Sequence, residues 1–446
     1  MEEKNKRNTE LNTERRDFPY RVLLPCLFGL ESLVRDEVLE AGILEDRVVT
    51  ADGEVALDCE SLSEAAEVAA RMNFRSRCAE RVLLELARFP ATNFDELFDG
   101  CLAIPWENYV DPSFVIVLKG YSRKSQVYGI PSAQRVLKKA LVRRLSEKRG
   151  LADGRVPEDP RSGQFQLHFA IVEDRVSMAV DTSGDGLHKR GYRPLRVLAP
   201  LRETLASAIL QLSFLEREAA YGEGLLDPCC GSGTFLIEAA AILRGIAPGL
   251  KRHFAGEKLQ IMGQAVFDRE REYARRLLHE EAQPLCLIGQ DISEDALHAA
   301  WQNAGRAGVE DCIQWRKADL RQLRREELLA ATPKQRLLVV ANPPYGERLL
   351  TPEAAGKLLQ SLGQLILPQG SLAEGFRFSL LSPDPHCEEA LGARSDKRRK
   401  LYNGMIKCNL YHYFRHQSEA GKRKQWGDRL CPEICKISYL DVKTCF

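Results

Sequence analysis

Residues 225–240 read Leu-Leu-Asp-Pro-Cys-Cys-Gly-Ser-Gly-Thr-Phe-Leu-Ile-Glu-Ala-Ala. An apolar run closes on Asp227-Pro228, a turn of small residues follows at 231–233, and helical spacing opens at Thr234. The pattern is strand, tight turn, helix. Glycine lets a backbone turn sharply and approach a ligand. The first helical turn offers unpaired N–H groups at the positive end of the helix dipole. A Gly-x-Gly turn alone is weak, because many strand-to-helix turns carry glycine for steric reasons. Its meaning depends on the residues downstream of it.

Two later stretches supply that context. Residues 285–292, Leu-Cys-Leu-Ile-Gly-Gln-Asp-Ile, are an apolar run ending in an acid, with a helical pattern over 293–304. An acid at the carboxyl end of a second strand is placed to take the ribose hydroxyls of a nucleoside lying over the glycine turn. Residues 336–346, Arg-Leu-Leu-Val-Val-Ala-Asn-Pro-Pro-Tyr-Gly, form a buried-strand pattern running into Asn342-Pro343-Pro344-Tyr345. The proline pair stiffens the backbone there, and open α/β sheets bind ligands at the carboxyl ends of their strands. The spacing predicts a doubly wound domain with strands at 224–227, 285–291, 313–318, 337–341 and 376–382 and a final pair near 401–403 and 405–413. Fifty-seven residues separate the first two strands, far more than the roughly 20 of a plain crossover. The excess falls at 245–276, which reads as an extra helical insertion. A dinucleotide fold would show a third glycine in the turn; Gly231-Ser-Gly-Thr-Phe-Leu236 has none.

Asp-Pro-Cys-Cys-Gly-Ser-Gly-Thr, followed about a hundred residues later by Asn-Pro-Pro-Tyr, resembles the S-adenosylmethionine-dependent amino-methyltransferases. Residues 247–250 (Ala-Pro-Gly-Leu), 342–349 (Asn-Pro-Pro-Tyr-Gly-Glu-Arg-Leu) and 400–404 (Lys-Leu-Tyr-Asn-Gly) narrow this. Together they resemble the THUMP-containing guanine-N2 RNA methyltransferases of the RlmL type, over about residues 18–414. The resemblance implies S-adenosyl-L-methionine as cofactor. Asp227 accepts from the methionine ammonium, Gly231, Ser232 and Gly233 bring backbone N–H groups close, and Thr234 opens the helix. Cys230 lines the turn. Asp291 takes the ribose and Ile292 lies against adenine, while Asp319, preceded by Ala318, accepts from the adenine amino group. An exocyclic amine is a poor nucleophile because its lone pair is delocalised. The Asn342 side-chain oxygen and the Pro343 carbonyl hold its two hydrogens and aim the lone pair, Pro344 stiffens the turn, and Tyr345 stacks on an extruded base.

The N-terminal half reads differently. Residues 1–17 are a polar tail. Strand and helix signals over 20–88 (strand 20–26, helix 31–41, hairpin 48–57, helix 62–72, strand 81–88) give the β-α-β-β-α-β order of a ferredoxin-like unit. A strand at 114–118 then runs into Lys-Gly-Tyr-Ser-Arg-Lys-Ser, followed by a helix at 131–148 and a hairpin of 166–172 with 175–181. This order is similar to a THUMP domain. From 119 to 149 ten Lys/Arg face one acid, Glu147, an RNA-binding signature. Lys119, Arg123, Lys124, Arg135, Lys138, Lys139 and Arg143 are the candidate contacts, with Lys189 and Arg190 in the linker, where His188 and Arg193 are further candidates for phosphate. Lys251, Arg252 and His253 of the insertion read equally as RNA contacts or as surface charge. A third basic run is 397–400, Lys-Arg-Arg-Lys.

The fold class is therefore α/β: a ferredoxin-like plus THUMP α+β region at 18–183, a linker at 184–199, a Rossmann-like methyltransferase domain at 200–415, and tails at 1–17 and 416–446. With 446 residues, two to three domains are expected. No apolar run approaches a membrane span or a secretory signal, which predicts a cytoplasmic protein. Thirteen scattered cysteines point to reduced thiols. His412, His416, Cys431 and Cys435 have zinc-like spacing within each pair, but His412 lies inside a strand pattern, so no metal is expected. The expected substrate is a guanosine of large-subunit (23S) rRNA, with tRNA as the alternative. Asn-Pro-Pro-Tyr also occurs in adenine-N6 DNA and glutamine methyltransferases. A non-catalytic RNA-binding assembly factor is the reading from another class; it would need no S-adenosylmethionine. Oligomeric state is not legible.

Overall fold

Alternating apolar residues in the first half assemble one sheet, and continuous apolar runs in the second half assemble another. The computed structural model describes residues 18–111, 113–151, 154–193, 201–215, 219–278, 286–332, 334–344 and 351–415. The first sheet has seven strands, β1 (Tyr20–Pro25), β2 (Val48–Ala51), β3 (Glu54–Cys59), β4 (Leu83–Pro90), β5 (Val115–Arg123), β6 (Gln164–Val172) and β7 (Arg175–Asp181), in the order β2-β3-β1-β4-β7-β6-β5. Strands β1–β4 with helices α1 (Glu31–Glu40) and α2 (Leu62–Arg75) are the expected ferredoxin-like unit. Ser61 starts α2 by accepting from the Glu64 N–H, the usual work of a serine cap. β4 pairs antiparallel with β7, so the THUMP hairpin continues the same sheet. Helix α3 (Phe94–Ala103) and α4 (Ile130–Arg149) follow β4 and β5, and Leu137 and Leu141 of α4 share one core with Ile116 of β5.

One boundary differs from expectation. Residues 119–123 do not leave the strand but prolong β5, paired parallel with β6 as far as Arg123 and Val172. Gly120 permits this, because a Cβ there would sit 2.2 Å from the Phe169 carbonyl oxygen.

The second sheet also has seven strands, β8 (Gly224–Asp227), β9 (Leu287–Asp291), β10 (Ile313–Lys317), β11 (Leu337–Ala341), β12 (Phe376–Ser382), β13 (Lys397–Asn403) and β14 (Ile406–Tyr413), ordered β10-β9-β8-β11-β12-β14-β13. β8 to β12 are mutually parallel and β14 runs antiparallel to β12. β8, β11 and β12 are buried along their whole length, as parallel strands covered on both faces must be. Helices α5 (Glu203–Leu212), α6 (Thr234–Leu243), α7 (Gln264–Arg276), α8 (Glu294–Ala307), α9 (Arg325–Ala330), α10 (Pro352–Ile366) and α11 (Cys387–Leu391) complete the doubly wound domain. The basic run 397–400 lies inside β13, which begins four residues earlier than expected.

The insertion at 245–276 joins the two halves. Its helix α7 packs on α2, where Glu270 accepts from Arg75 (2.9 Å) and Arg71 (3.4 Å). The Arg75 guanidinium stacks 4.1 Å above the Tyr273 ring. Phe74 meets Phe254 edge-on at 5.0 Å, and the Gly249 N–H donates to the Phe74 carbonyl. Arg77 donates to the carbonyl of Ile246.

The expected linker is no hinge where it is described. Leu187, Arg190 and Tyr192 are buried. Buried Arg252 donates to the carbonyls of Ser183, Asp185, Gly186 and Lys189, gripping this segment from the insertion. Burial, then the nearby Arg190 charge, pulls the Arg252 guanidinium down to about 10, so it stays charged at neutral pH. Residues 194–199 and both tails lie outside the described residues.

Candidate active site

The carboxyl ends of β8, β9, β10 and β11 form one edge, and four of the expected site stretches meet there. Asp227 ends β8 opposite Gly289, and Asp291 ends β9 opposite Lys317. Gly231 and Gly233 adopt φ of +51° and +80°, a region that costs other residues about 1–2 kcal/mol. A Cβ on Gly233 would lie 2.8 Å from the Trp315 ring and 3.0 Å from Ala300, whereas one on Gly231 would enter open space. So Gly233 is required by packing, and Gly231 borders free volume. The turn is tied down from two sides: Cys230 N–H donates to the Gln290 carbonyl, and Asn303 Nδ2 to the Ser232 carbonyl. Thr234 then begins α6.

Asp291 accepts from the Gly231 N–H and the Ser293 N–H, each at 2.9 Å, leaving lone pairs on both oxygens. Ile292 beside it is exposed. Asp227 is buried, and its carboxyl accepts from the Cys229 N–H at 3.2 Å. Burial raises its pKa to about 8; the Cys229 N–H opposes the rise and the Asp291 charge adds to it. A nearby cation would oppose that burial and favour the charged carboxylate. Burial also pushes the thiols of Cys229 and Cys230 far up, so neither is a nucleophile. Cys230 lines the turn.

Ala318 donates its N–H to the Asp291 carbonyl. Asp319 sits differently from expectation. Its carboxylate accepts from the Arg321 N–H and guanidinium, and the Arg321 hydrogen bonds hold its pKa down. An adenine amine would share an acceptor already engaged.

Asn342 follows β11 directly, and its Oδ1 is buried with no hydrogen-bond partner among the described residues. A buried acceptor left unpaired costs about 1–3 kcal/mol, and Asn342 Oδ1 can take a donor at the carboxyl edge of the sheet. Pro343 and Pro344 hold the following backbone, and Tyr345 lies outside the described residues.

One residue at the site carries no sequence signal, and another reads in the sequence only as a phosphate contact. Trp315 of β10 packs on Gly233 and Gly289 and has a buried Nε1 without a partner among the described residues. Arg193 pairs with Glu203 at 2.8 Å and reaches Thr234 Oγ1 at 3.4 Å. Position alone, known only after folding, distinguishes them.

The basic run of 119–149 does not form one patch. Lys119, Arg123 and Lys124 are exposed along β5 and the turn after it, on the side away from α4 for the first two. Arg135, Lys139 and Arg143 are exposed on α4, Arg143 paired with Glu147 at 2.8 Å. Lys138 instead ties helix to strand, through the Ile116 carbonyl (3.1 Å) and Glu158 (3.2 Å). Lys189 is exposed beside Asp185. Arg190 is corrected: only 5% exposed, it donates to the carbonyls of Leu187 and Arg77 and is closed to phosphate. Arg193 and Arg252 are likewise spent inside the protein. His412 is buried against Ser379 (2.9 Å), and burial, with Lys397 and Arg399 nearby, lowers its pKa to about 4. The other three residues of the zinc-like quartet lie outside the described residues.

Comparison with known families agrees with this layout. The RlmL ferredoxin-like domain matches residues 21–83, the THUMP domain 91–181, and the RMKL-like methyltransferase domain 190–412. The chain belongs to the RMKL-like methyltransferases. It is 33% identical over 89% of its length to YpsC of Bacillus subtilis, provisionally named an RNA methyltransferase, and covers 96% of that protein. It is 34% identical to the ribosomal RNA large subunit methyltransferase K/L of Syntrophotalea carbinolica over 89% of this chain but only 54% of the relative, so it spans about half the length of the K/L enzymes. Among solved structures, SMU.472 in complex with S-adenosylhomocysteine matches with TM-score 0.76 and 30% identity, covering 92% of this chain and all of that one (100%). A Listeria monocytogenes protein described as a predicted N6-adenine-specific DNA methylase matches with TM-score 0.77 and 35% identity, covering 89% and 96%.

S-adenosylmethionine is the methyl donor of this methyltransferase, and the residues present fit it. Asp227 is a buried carboxyl lacking a cation, Gly231 opens on free volume, and Asp291 and Ile292 offer an acceptor and an apolar surface. When bound, the cofactor supplies an electrophilic methyl group on a sulfonium. No helix among the described residues is long and apolar enough to cross a membrane.

Proposed function

We propose that this methyltransferase works in the cytoplasm and transfers a methyl group to the exocyclic N2 amine of a guanosine in large-subunit (23S) rRNA. One observation carries the amine assignment: the unpartnered, buried Asn342 Oδ1 at the end of the central strand, followed by two prolines. Together with the Pro343 carbonyl it holds the two amine hydrogens and turns the lone pair toward the methyl group. Rate then comes from orientation and fixed dipoles, with no strong base. Asp227, Asp291 and Ile292 hold the cofactor, and Gly231–Gly233 admit it closely. Tyr345 stacks on the extruded base; stacking of this kind contributes about 1–3 kcal/mol, comparable with the cost of unstacking. RNA is favoured by the THUMP match and by the exposed cations of β5 and α4. The names of the relatives point the same way.

Methyl transfer from labelled S-adenosylmethionine into total RNA from cells lacking the gene tests this, with nucleosides and RNA size classes resolved. N2-methylguanosine in large-subunit rRNA is the expected product. The same nucleoside in tRNA would replace the substrate, N6-methyladenine the base, and label in protein glutamine the whole RNA reading.

A further inference from the structure

β12 ends at Ser382, which pairs with Asn409 of β14. The β13–β14 hairpin does not end there. Its pairing continues from Lys400 with Asn409 to Asn403 with Ile406, closed by Gly404-Met405. Because β12 lies parallel to β11, with Ala341 opposite Leu380, the hairpin overhangs the edge that carries Asn342. At about 3.3 Å per residue and 4.8 Å per strand, its tip stands about 13 Å beyond the level of Asn342 and about 10 Å to the side of β11.

The two faces of this hairpin differ. Leu401 and Cys408 are buried, and Arg399 donates to the Gly29 carbonyl at 3.0 Å, so one face rests on the N-terminal unit. By alternation and register the other face carries Arg398, Lys400 and Lys407, all exposed, with Arg398 lying 3.9 Å from the Glu388 carboxylate. At the tip Met405 is 98% exposed and Ile406 48%, and Phe28, beside the supporting Gly29, is 56% exposed. Cations on both strands with bare apolar side chains at their end suit neither a solvated edge nor an apolar protein partner. They suit a polyanion with unstacked bases.

We infer that the β13–β14 hairpin is an RNA wedge: Arg398, Lys400 and Lys407 hold phosphates next to the target, and Met405 with Ile406 covers the bases left bare when the target nucleotide is extruded. This rests on the RNA-methylation reading above. Apolar side chains play this part in nucleic-acid binders that unstack base steps, and extrusion leaves such a gap to fill.

The test uses the full chain, total RNA from cells lacking the gene, and rates measured across a salt series. Two variants are compared with wild type: Met405→Ser, and the triple Arg398→Gln, Lys400→Gln, Lys407→Gln. S-adenosylmethionine affinity reports that each variant is folded. Met405→Ser should lower kcat/KM for RNA roughly tenfold, as expected for losing most of one apolar contact. The triple variant should flatten the salt dependence by about 2–3 in log–log slope, near 0.7–0.9 per lost phosphate contact. Wild-type rates at every salt in both variants, with RNA still labelled, would overturn the wedge. No labelling of RNA by the wild-type chain, with cofactor bound, would overturn the RNA reading and the wedge with it.

Discussion

Replacing Asp227 by Asn keeps the shape of a buried side chain and removes its ability to ionise. In the cofactor-free protein burial holds the Asp227 pKa at about 8, so near pH 6 the carboxyl is almost entirely protonated. The methionine ammonium is received best by the carboxylate, and binding below pH 8 therefore expels one proton. Affinity should rise close to tenfold per pH unit at first, and about 20-fold in all between pH 6 and 7.5. Above pH 8 it should fall again, because an α-amino group loses its own proton near 7.7–8.0. Asp227→Asn should bind roughly 10- to 100-fold more weakly at pH 7.5, the loss of a hydrogen bond to a charged group, with no rise from pH 6. Calorimetry in two buffers of different ionisation enthalpy counts the proton directly. The same shift carries a stability sign: the folded state holds more protons than the unfolded across about pH 4–8, so this group's contribution declines as pH rises through that window. A wild-type affinity that is flat from pH 6 to 7.5 would refute the assignment of Asp227 to the ammonium.

Asn342→Ala should lower kcat by orders of magnitude while cofactor affinity survives; an unchanged turnover would remove Asn342 from the amine. Gly233→Ala, whose Cβ would meet Trp315 at 2.8 Å, should destabilise the fold measurably in urea. Gly231→Ala should cost only about 1–2 kcal/mol and act mainly on cofactor affinity, and equal effects would show that both glycines serve packing. Arg75→Ala, which strips Glu270 of its nearer partner and uncovers Tyr273, should cost about 1–3 kcal/mol of stability in chemical denaturation. No change would mean that the α2–α7 contact does not hold the halves together. His188 and His412 both have pKa values lowered to about 4 by burial. The contribution of these two groups to stability should therefore fall as pH drops from about 6.5 towards 4, against the opposite trend of Asp227, and His412→Gln should lose less stability than wild type over that range in urea titrations.

The catalytic sheet was legible because parallel strands are buried on both faces and announce themselves as unbroken apolar runs ending in Asp227, Asp291 and Asn342. The glycine turn announced itself by composition. What escaped was whatever depends on a partner far along the chain. Residues 119–123 look like a polar loop until β6 is laid beside them with Phe169 over Gly120. Segment 184–193 looks like a hinge, being rich in glycine and charge, yet Arg252 holds three of its carbonyls, and that of Ser183 just before it, from some 60 residues away. Lys138 and Lys139 are neighbours of the same type; one is a strut and the other faces solvent. Nothing local distinguishes them.

The seam between α2 and the insertion has a consequence for how a nucleotide is chosen. With Glu270 clasped by two arginines, three phenylalanines packed together and the connecting segment gripped by Arg252, the RNA-facing half and the catalytic half cannot slide independently. The span from the cations of β5 to Asn342 is then a ruler of fixed length. On the proposed reading, an RNA anchored on the β5 cations presents to Asn342 only the nucleotide at the matching distance, and selection by measurement needs no reading of the bases between.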